Sequence, residues 1–126
     1  MRVPFSHAIY PPAPALEIRL LHPVSGKRSP YQHAVLDTGS DTTVVPTDLL
    51  LSLEVKSFRQ QRVLGLWGGE AMVDLYYVNF EIDGRLFTRI EVIGSDSEPE
   101  ILIGRNLSNQ LRLLLDGPAE TVELME

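Results

Sequence analysis

Apolar and polar positions alternate in short blocks separated by turn signals. Leu16-Glu17-Ile18-Arg19-Leu20 changes polarity at every step, the period of a half-buried strand. Pro23-Val24-Ser25-Gly26 follows as a turn, and residues 31–36 read as a strand that becomes fully apolar at its end. Residues 42–45 are rich in β-branched side chains and stop at Pro46. After a leucine-rich stretch (Leu49, Leu50, Leu51, Leu53), another strand is expected over residues 55–63, ending in the glycine-rich tip Gly65-Leu66-Trp67-Gly68-Gly69. Val78-Asn79-Phe80-Glu81-Ile82 alternates strictly and runs into Asp83-Gly84, a strong hairpin signal, so residues 86–93 read as the return strand. An acidic loop over residues 94–99 leads to the short buried strand Ile101-Leu102-Ile103. Residues 105–111, flanked by Gly104 and free of proline, are the one helix expected. Leu113-Leu114-Leu115, Asp116-Gly117 and Thr121-Val122-Glu123-Leu124 read as a closing hairpin. Many short strands with regular turns and a single short helix predict an all-β, mostly β, barrel or sandwich.

The first residues differ from the rest. Pro11, Pro12 and Pro14 exclude a helix there, so residues 1–15 are expected to form a proline-rich arm ahead of a domain over residues 16–126. The pattern leaves open whether the arm is an ordered extended strand or a loose tail. The length of 126 residues fits one domain, and a chain of this size can bury a core without disulfide staples. Having no cysteine, it cannot use a thiol nucleophile, a cysteine-zinc site or a disulfide.

The balance of 11 Lys+Arg against 17 Asp+Glu gives a formal net charge of −6, and Lys27-Arg28 is the sole adjacent basic pair. Phosphate neutralisation needs a basic face, so nucleic acid is not an expected partner. No apolar run approaches the ~20 residues that span a bilayer, and Pro4, Pro11, Pro12 and Pro14 interrupt any signal-peptide core. The expectation is a soluble, cytoplasmic protein without membrane association.

The sharpest chemical feature is Ala34-Val35-Leu36-Asp37-Thr38-Gly39-Ser40-Asp41-Thr42-Thr43-Val44-Val45-Pro46. An apolar strand delivers an Asp to a tight Thr-Gly turn, and a β-branched strand leaves it. A carboxylate at the end of a buried strand is costly unless backbone donors or a partner compensate it. Glycine lets amides approach that carboxylate, and the threonine hydroxyl can anchor the turn. Taken alone, such a tripeptide is an ordinary Asx-type turn. It is followed by Ile101-Leu102-Ile103-Gly104-Arg105-Asn106-Leu107, with the glycine-rich tip between the two.

With these three landmarks in this order, residues 31–115 resemble the retropepsin-like (retroviral-type) aspartic proteases. That family carries hydrophobic-Asp-Thr-Gly-[Ala/Ser]-Asp-Thr, then a glycine-rich flap, then hydrophobic-hydrophobic-Gly-Arg-[Asn/Asp]-Leu opening its helix. The resemblance implies a closed β barrel with a flap hairpin and one short helix, working as a symmetric homodimer. It implies an aspartic endopeptidase acting on polypeptides, with no metal and no organic cofactor. Asp37 from each subunit would be catalytic, the two carboxyls sharing a proton and activating a water between them. Active-site support would come from Thr38, bracing the two turns across the dimer axis, and from Gly39 and Ser40. Gly39, Asp41, Leu66, Trp67 and Gly68 would contact substrate, the last three as the flap tip. Asp41 would form a structural ion pair with Arg105. A Ser40 hydroxyl donating to the ionised carboxylate would lower its pKa, placing best activity in acid, and Ser40→Ala would then shift the pH profile upward.

Some features depart from the family pattern. Residues 1–15 and 117–126 do not look like the interlacing termini of retroviral dimers, so the dimer is expected to be held differently or more weakly. The Leu66-Trp67 tip is bulkier than a retroviral flap. His7, His22 and His33 lack a metal-ligand spacing and read as ordinary strand or loop residues. Gly26-Lys27-Arg28-Ser29 lacks the upstream glycine of a phosphate-binding loop, and Gly65-Leu66-Trp67-Gly68-Gly69 lacks the helix of a dinucleotide fingerprint. Two alternatives to an active protease stay open: a non-catalytic retropepsin-like dimerisation or peptide-binding module, and a proenzyme whose arm blocks the cleft.

Overall fold

The computed structural model describes residues 1–64 and 68–126. In chain order the elements are β1 (Arg2–Pro4), β2 (Ala15–Leu21), β3 (Gln32–Leu36), β4 (Thr43–Pro46), α1 (Thr47–Ser52), β5 (Arg59–Leu64) and β6 (Glu70–Ile82). They continue with β7 (Arg85–Ser95), β8 (Ile101–Ile103), α2 (Arg105–Ser108), β9 (Arg112–Asp116) and β10 (Thr121–Met125).

The main sheet runs β2-β3-β8-β4-β7-β6-β5, and β2 also pairs with β6. That second pairing closes six strands into a barrel and leaves β5 outside it, paired among the described residues with β6 alone. Closure brings Arg19 opposite Glu81, and the two side chains form an ion pair there. The Arg19 guanidinium also lies over the Tyr31 ring, 4.7 Å from its centroid. Inward positions of the alternating strands fill the barrel: Leu16, Ile18 and Leu20 from β2, Val78, Phe80 and Ile82 from β6, and Ile101 and Ile103 from β8 are all buried. The mostly β architecture expected from the pattern is observed, in the closed-barrel form that the family resemblance implied.

The Asp83-Gly84 signal is met literally. Both residues have positive φ, 51° and 74°, and the turn joins Ile82 directly opposite Arg85. A two-residue turn with positive φ at both positions matches the twist of the strands it joins. A bulge between Val78 and Phe80 further bends β6, and the Asn79 side chain accepts the Arg89 N–H there (2.8 Å).

The arm is ordered where it meets the rest of the chain. β1 pairs antiparallel with β10, which pairs in turn with β9, giving a second, three-stranded sheet. Val3, Val122 and Leu124 of this sheet are buried, and Val122 and Leu124 pack into the core that fills the barrel.

Three local expectations need correction. Among the described residues there are two short helices, not one: the leucine-rich stretch forms α1, which buries Leu50 while leaving Leu51 exposed. Four leucines in five positions hide the helical period, and Pro46 ends β4 only one residue before α1 begins. The helix expected over 105–111 stops at Ser108 and continues as tight turns, with Gln110 and Leu111 donating to Leu107 and Ser108. The strand expected from Val55 starts at Arg59, because the Val55 N–H is already bonded to Leu50 at the end of α1.

Candidate active site

β3 carries the chain to Asp37, and β8 runs parallel beside it from Ala34↔Ile101 to Leu36↔Ile103. The Asp37 N–H extends this ladder by donating to the Ile103 carbonyl (2.9 Å). On its other edge β8 meets β4 at Val44↔Leu102. A strand from late in the chain therefore lies between the strand entering the Asp37 turn and the strand leaving it.

Gly104 ends that strand at a close backbone crossing. A Cβ at Gly104 would lie 2.4 Å from the Thr42 carbonyl carbon and 2.5 Å from its oxygen. Only glycine lets the two backbones pass at this separation. Beyond the crossing, the first amides of α2 bond the turn from below: Arg105 N–H to the Ser40 carbonyl (2.9 Å) and Asn106 N–H to the Asp41 carbonyl (3.3 Å).

Two side chains lock the crossing. Thr43, fully buried, accepts the Gly104 N–H (3.0 Å) on its hydroxyl oxygen and donates that hydroxyl to Asn106 Oδ1 (2.8 Å). Asn106 Oδ1 also takes the Thr43 N–H (3.0 Å), while Asn106 Nδ2 donates to the Glu91 carbonyl on β7 (2.7 Å). Every side-chain polar atom of this pair, Thr43 buried and Asn106 partly so, thus has a partner, the condition under which a polar network adds rigidity. The sequence reading gave Thr43 and Asn106 no role. Each sits inside a motif, but their contact spans 63 positions, and only the fold brings them together.

The turn itself holds Asp37 at the protein surface. The Asp37 side chain is partly exposed, and its Oδ1 accepts the Gly39 N–H (3.2 Å). A Cβ on Gly39 would approach that oxygen to 3.3 Å, so glycine suits the close amide–carboxylate contact. The turn closes with the Ser40 N–H bonded to the Asp37 carbonyl (3.1 Å).

Two expected side-chain contacts are replaced by others. The Ser40 hydroxyl donates to the Thr42 carbonyl (2.7 Å) rather than to the Asp37 carboxylate. Its reach is taken up inside the turn, which removes the basis for a Ser40-dependent upward shift of the pH profile. Arg105 makes no ion pair with Asp41 among the described residues. Its Nη1 instead donates to the Thr38 carbonyl (2.7 Å), and Asp41 Oδ1 accepts the Thr42 hydroxyl (3.4 Å). A guanidinium at the first position of α2 points back over the turn, and the nearest acceptor there is backbone. Arg105 thus braces the turn it was expected to serve, through a different atom.

Of the other candidates, Thr38, Gly39 and Asp41 are exposed beside Asp37. Leu66 and Trp67 lie outside the described residues. Gly68 has φ +82° with open space around it, at the start of the segment leading into β6. The β5–β6 hairpin that carries this tip pairs from Arg59↔Leu75 to Leu64↔Glu70. His7 and His33 each face one carboxylate, Glu120 and Glu17, and among the described residues no group of His, Asp and Glu is arranged to hold a metal ion. Among the described residues, no helix is long and apolar enough to cross a membrane.

Compared with protein families, residues 28–113 match the spumavirus aspartic protease (A9) family. The chain belongs to that family. The match takes in the Asp37 turn, the hairpin, the Gly104 crossing and α2. Solved structures of similar fold include the solution structure of the simian foamy virus (mac) protease, 24% identical with a TM-score of 0.55 over 75% of this chain and 91% of that one. EIAV protease in complex with the inhibitor HBY-793 is also 24% identical, with a TM-score of 0.55 over 78% of this chain and 86% of that one. A retropepsin-like aspartic protease from Rickettsia conorii reaches a TM-score of 0.62 over 97% of this chain and 86% of that one, at 11% identity. No curated protein sequence matches the chain. The A9 protease domain thus has a retropepsin-like fold.

Proposed function

We propose that this A9 protease is an endopeptidase that cleaves polypeptides as a homodimer, with Asp37 of each subunit forming the catalytic pair. The observation that carries this reading is the construction around Asp37. A carboxylate is fixed at the surface by a turn that the crossing strand, Gly104, Thr43 and Asn106 all hold in place. A chain that needed only a scaffold would have no use for a carboxylate presented this rigidly.

One subunit carries half of a site. Two Asp37 carboxyls facing across a two-fold axis cannot both ionise cheaply, so the pair shares a proton. The ionised member takes a proton from a water held between them as it attacks the peptide carbonyl, and the protonated member donates to the carbonyl oxygen. The pH dependence of cleavage then belongs to the pair rather than to either residue. Thr38 meets its copy across the axis, and Gly39 and Asp41 present backbone and side-chain partners to the substrate main chain. Leu66, Trp67 and Gly68, which follow β5 and precede β6 in sequence, close over the bound peptide and exclude water.

Cleavage of a diverse peptide library, read by mass spectrometry from acidic to neutral pH, tests this with wild type and Asp37→Asn side by side. Products made by wild type alone are expected, with the Asn variant reduced by roughly 10³-fold or more, as for loss of a group acting in the transition state. No products from either protein would favour a peptide-binding module, or a precursor blocked by residues 1–15, which deletion of the arm then separates. Equal products from both would remove Asp37 from the mechanism.

A further inference from the structure

A separate cavity lies between the loop joining β7 to β8, the start of α1 and the start of β3. It is open to solvent, and its volume of about 990 Å³ has room for several side chains of a bound molecule.

Its charge is of one sign. Asp48, Asp96, Glu98 and Glu100 line it, and no Lys or Arg does. The histidine in the lining, His33, has its Nε2 3.8 Å from Glu17 on β2. Seven ion pairs form among the described residues, and none of them takes up one of these four carboxylates. Like charges gathered round one hollow repel one another, and a cation placed there relieves the repulsion.

Glu100 sharpens the point. Asp48, Asp96 and Glu98 are exposed, but Glu100 is partly buried, and its Oε2 is enclosed without a hydrogen-bond partner. A buried carboxylate oxygen is costly until a donor reaches it, and a bound ligand can bring that donor.

The kind of ligand follows from how the carboxylates are spread. Among the described residues no three His, Asp or Glu side chains are arranged to hold a metal ion, so these four do not converge on one point. A single ion would leave most of them unanswered, whereas several cationic groups carried on one chain meet them in turn. Leu49 and Pro99 supply apolar surface between them, on which lysine and arginine stems lie while their heads reach a carboxylate. The loop carrying three of the four is shaped in advance, because the Ser95 hydroxyl accepts the N–H groups of Ser97 (3.3 Å) and Glu98 (3.1 Å).

The cavity is also tied to the Asp37 turn. β8 begins beside it with Ile101, opposite Ala34, and Ala34 lies three positions before Asp37. That is about 10 Å along the strand, a distance an extended peptide spans in about three residues.

Resting on the peptidase reading above, we propose that this cavity binds a lysine- or arginine-rich segment of the polypeptide to be cleaved, outside the residues that flank the scissile bond. Asp48, Asp96 and Glu98 hold its cationic heads at the rim, and Glu100 takes a donor further in. Cleavage is thereby directed to sites a few residues from a basic stretch.

Binding is read first, without cleavage, by fluorescence anisotropy of a labelled peptide of alternating arginine and glycine on the Asp37→Asn protein. The peptide is expected to bind, and its counterpart of alternating glutamine and glycine to bind at least roughly tenfold more weakly. Glu98→Lys is expected to weaken binding roughly tenfold, whereas Glu123→Lys, the same charge change at an exposed position of β10, leaves it within about twofold. Glu100→Gln is expected to weaken it by a similar factor without lowering the thermal unfolding temperature, since the lost oxygen had no partner in the free protein. A merely structural role for Glu100 would give the reverse, a lower unfolding temperature with binding unchanged. With Asp37 restored, a cleaved peptide extended by a basic stretch is expected to show a lower KM than the same peptide without it. Glu98→Lys removes that difference and leaves kcat little changed.

Absent binding would overturn the proposal, as would equal losses in Glu98→Lys and Glu123→Lys, the mark of attraction to net charge alone. Asp37-dependent cleavage that ignores the basic extension would also overturn it and leave the protease reading standing. Binding that Glu98→Lys abolishes, with no Asp37-dependent cleavage by wild type, would keep the cavity as a site for basic peptides and remove the protease reading.

Discussion

The Asp37 turn and the β5–β6 hairpin face opposite demands, and the chain builds them in opposite ways. The turn has few side chains of its own to hold it, yet it is bonded from three directions: β8 beside it, α2 beneath it and the Thr43–Asn106 pair behind it. The hairpin has regular strand pairing but almost no core. Arg59, Gln60, Gln61, Arg62 and Leu64 are exposed, as are Glu70, Ala71 and Met72 across from them. Its support is largely local, such as Phe58 stacked on Tyr77 with ring centroids 4.1 Å apart. Under the proposed function, fixed geometry serves a carboxylate that has to meet its copy, and weak attachment serves a hairpin past which a peptide has to enter and leave.

Substitutions can break this contrast in a defined order. Gly104→Ala should do the most damage, since its Cβ meets backbone rather than a flexible side chain. A loss of about 3 kcal/mol or more in urea unfolding is expected, with disappearance of peptide cleavage. Full stability in that variant would mean that the crossing is not rigid. Thr43→Val should follow, because it leaves the Gly104 N–H without its acceptor and takes the hydroxyl donor from Asn106. The expected cost is about 1–3 kcal/mol, with kcat falling more than KM rises, and Thr43→Ser should recover most of both.

The hairpin should respond differently. Met72→Ser, at a 56% exposed position, should change stability by less than about 0.5 kcal/mol. Its effect should fall on KM in peptide cleavage, and a stability loss as large as that of Thr43→Val would erase the distinction between the two regions.

The smallest effect lies at the barrel seam. A hydrogen bond from Arg19 holds the Glu81 carboxyl below its ordinary value. A depressed carboxylate pKa contributes stability that is complete above the unfolded value and lost as pH falls through the folded one. Wild type should therefore exceed Glu81→Gln in thermal unfolding at neutral pH, and the gap should narrow in acid. A gap that widened in acid would reverse the sign assigned to this pair.

Legibility followed the range over which each feature is determined. The Asp83-Gly84 turn and the alternation of β2 and β6 are set by neighbours in sequence, and they could be read directly. α1 could not, because consecutive leucines satisfy strand and helix alike and the choice falls to packing at Leu50 and Leu53. At the site, the motifs located Asp37, Gly39 and Gly104, whose chemistry depends on residue type alone. They did not show where a flexible side chain ends up. Arg105 found the Thr38 carbonyl instead of Asp41, and Ser40 found Thr42 instead of Asp37. Those outcomes are decided by distances of a few ångströms at a crossing between segments far apart in the chain.

The passage of β8 between β3 and β4 also sets a schedule. Thr38 and Arg105 are separated by 67 positions, so the Asp37 turn cannot mature through local contacts alone. During synthesis, Asp37 emerges well before the segment that shapes its loop, and a nascent chain halted before Ile101 carries the aspartate without its geometry. Such non-local closure slows folding. On the proposed reading of this domain as a peptidase, it also delays competence until most of the barrel has been made, a built-in interval before any cleavage.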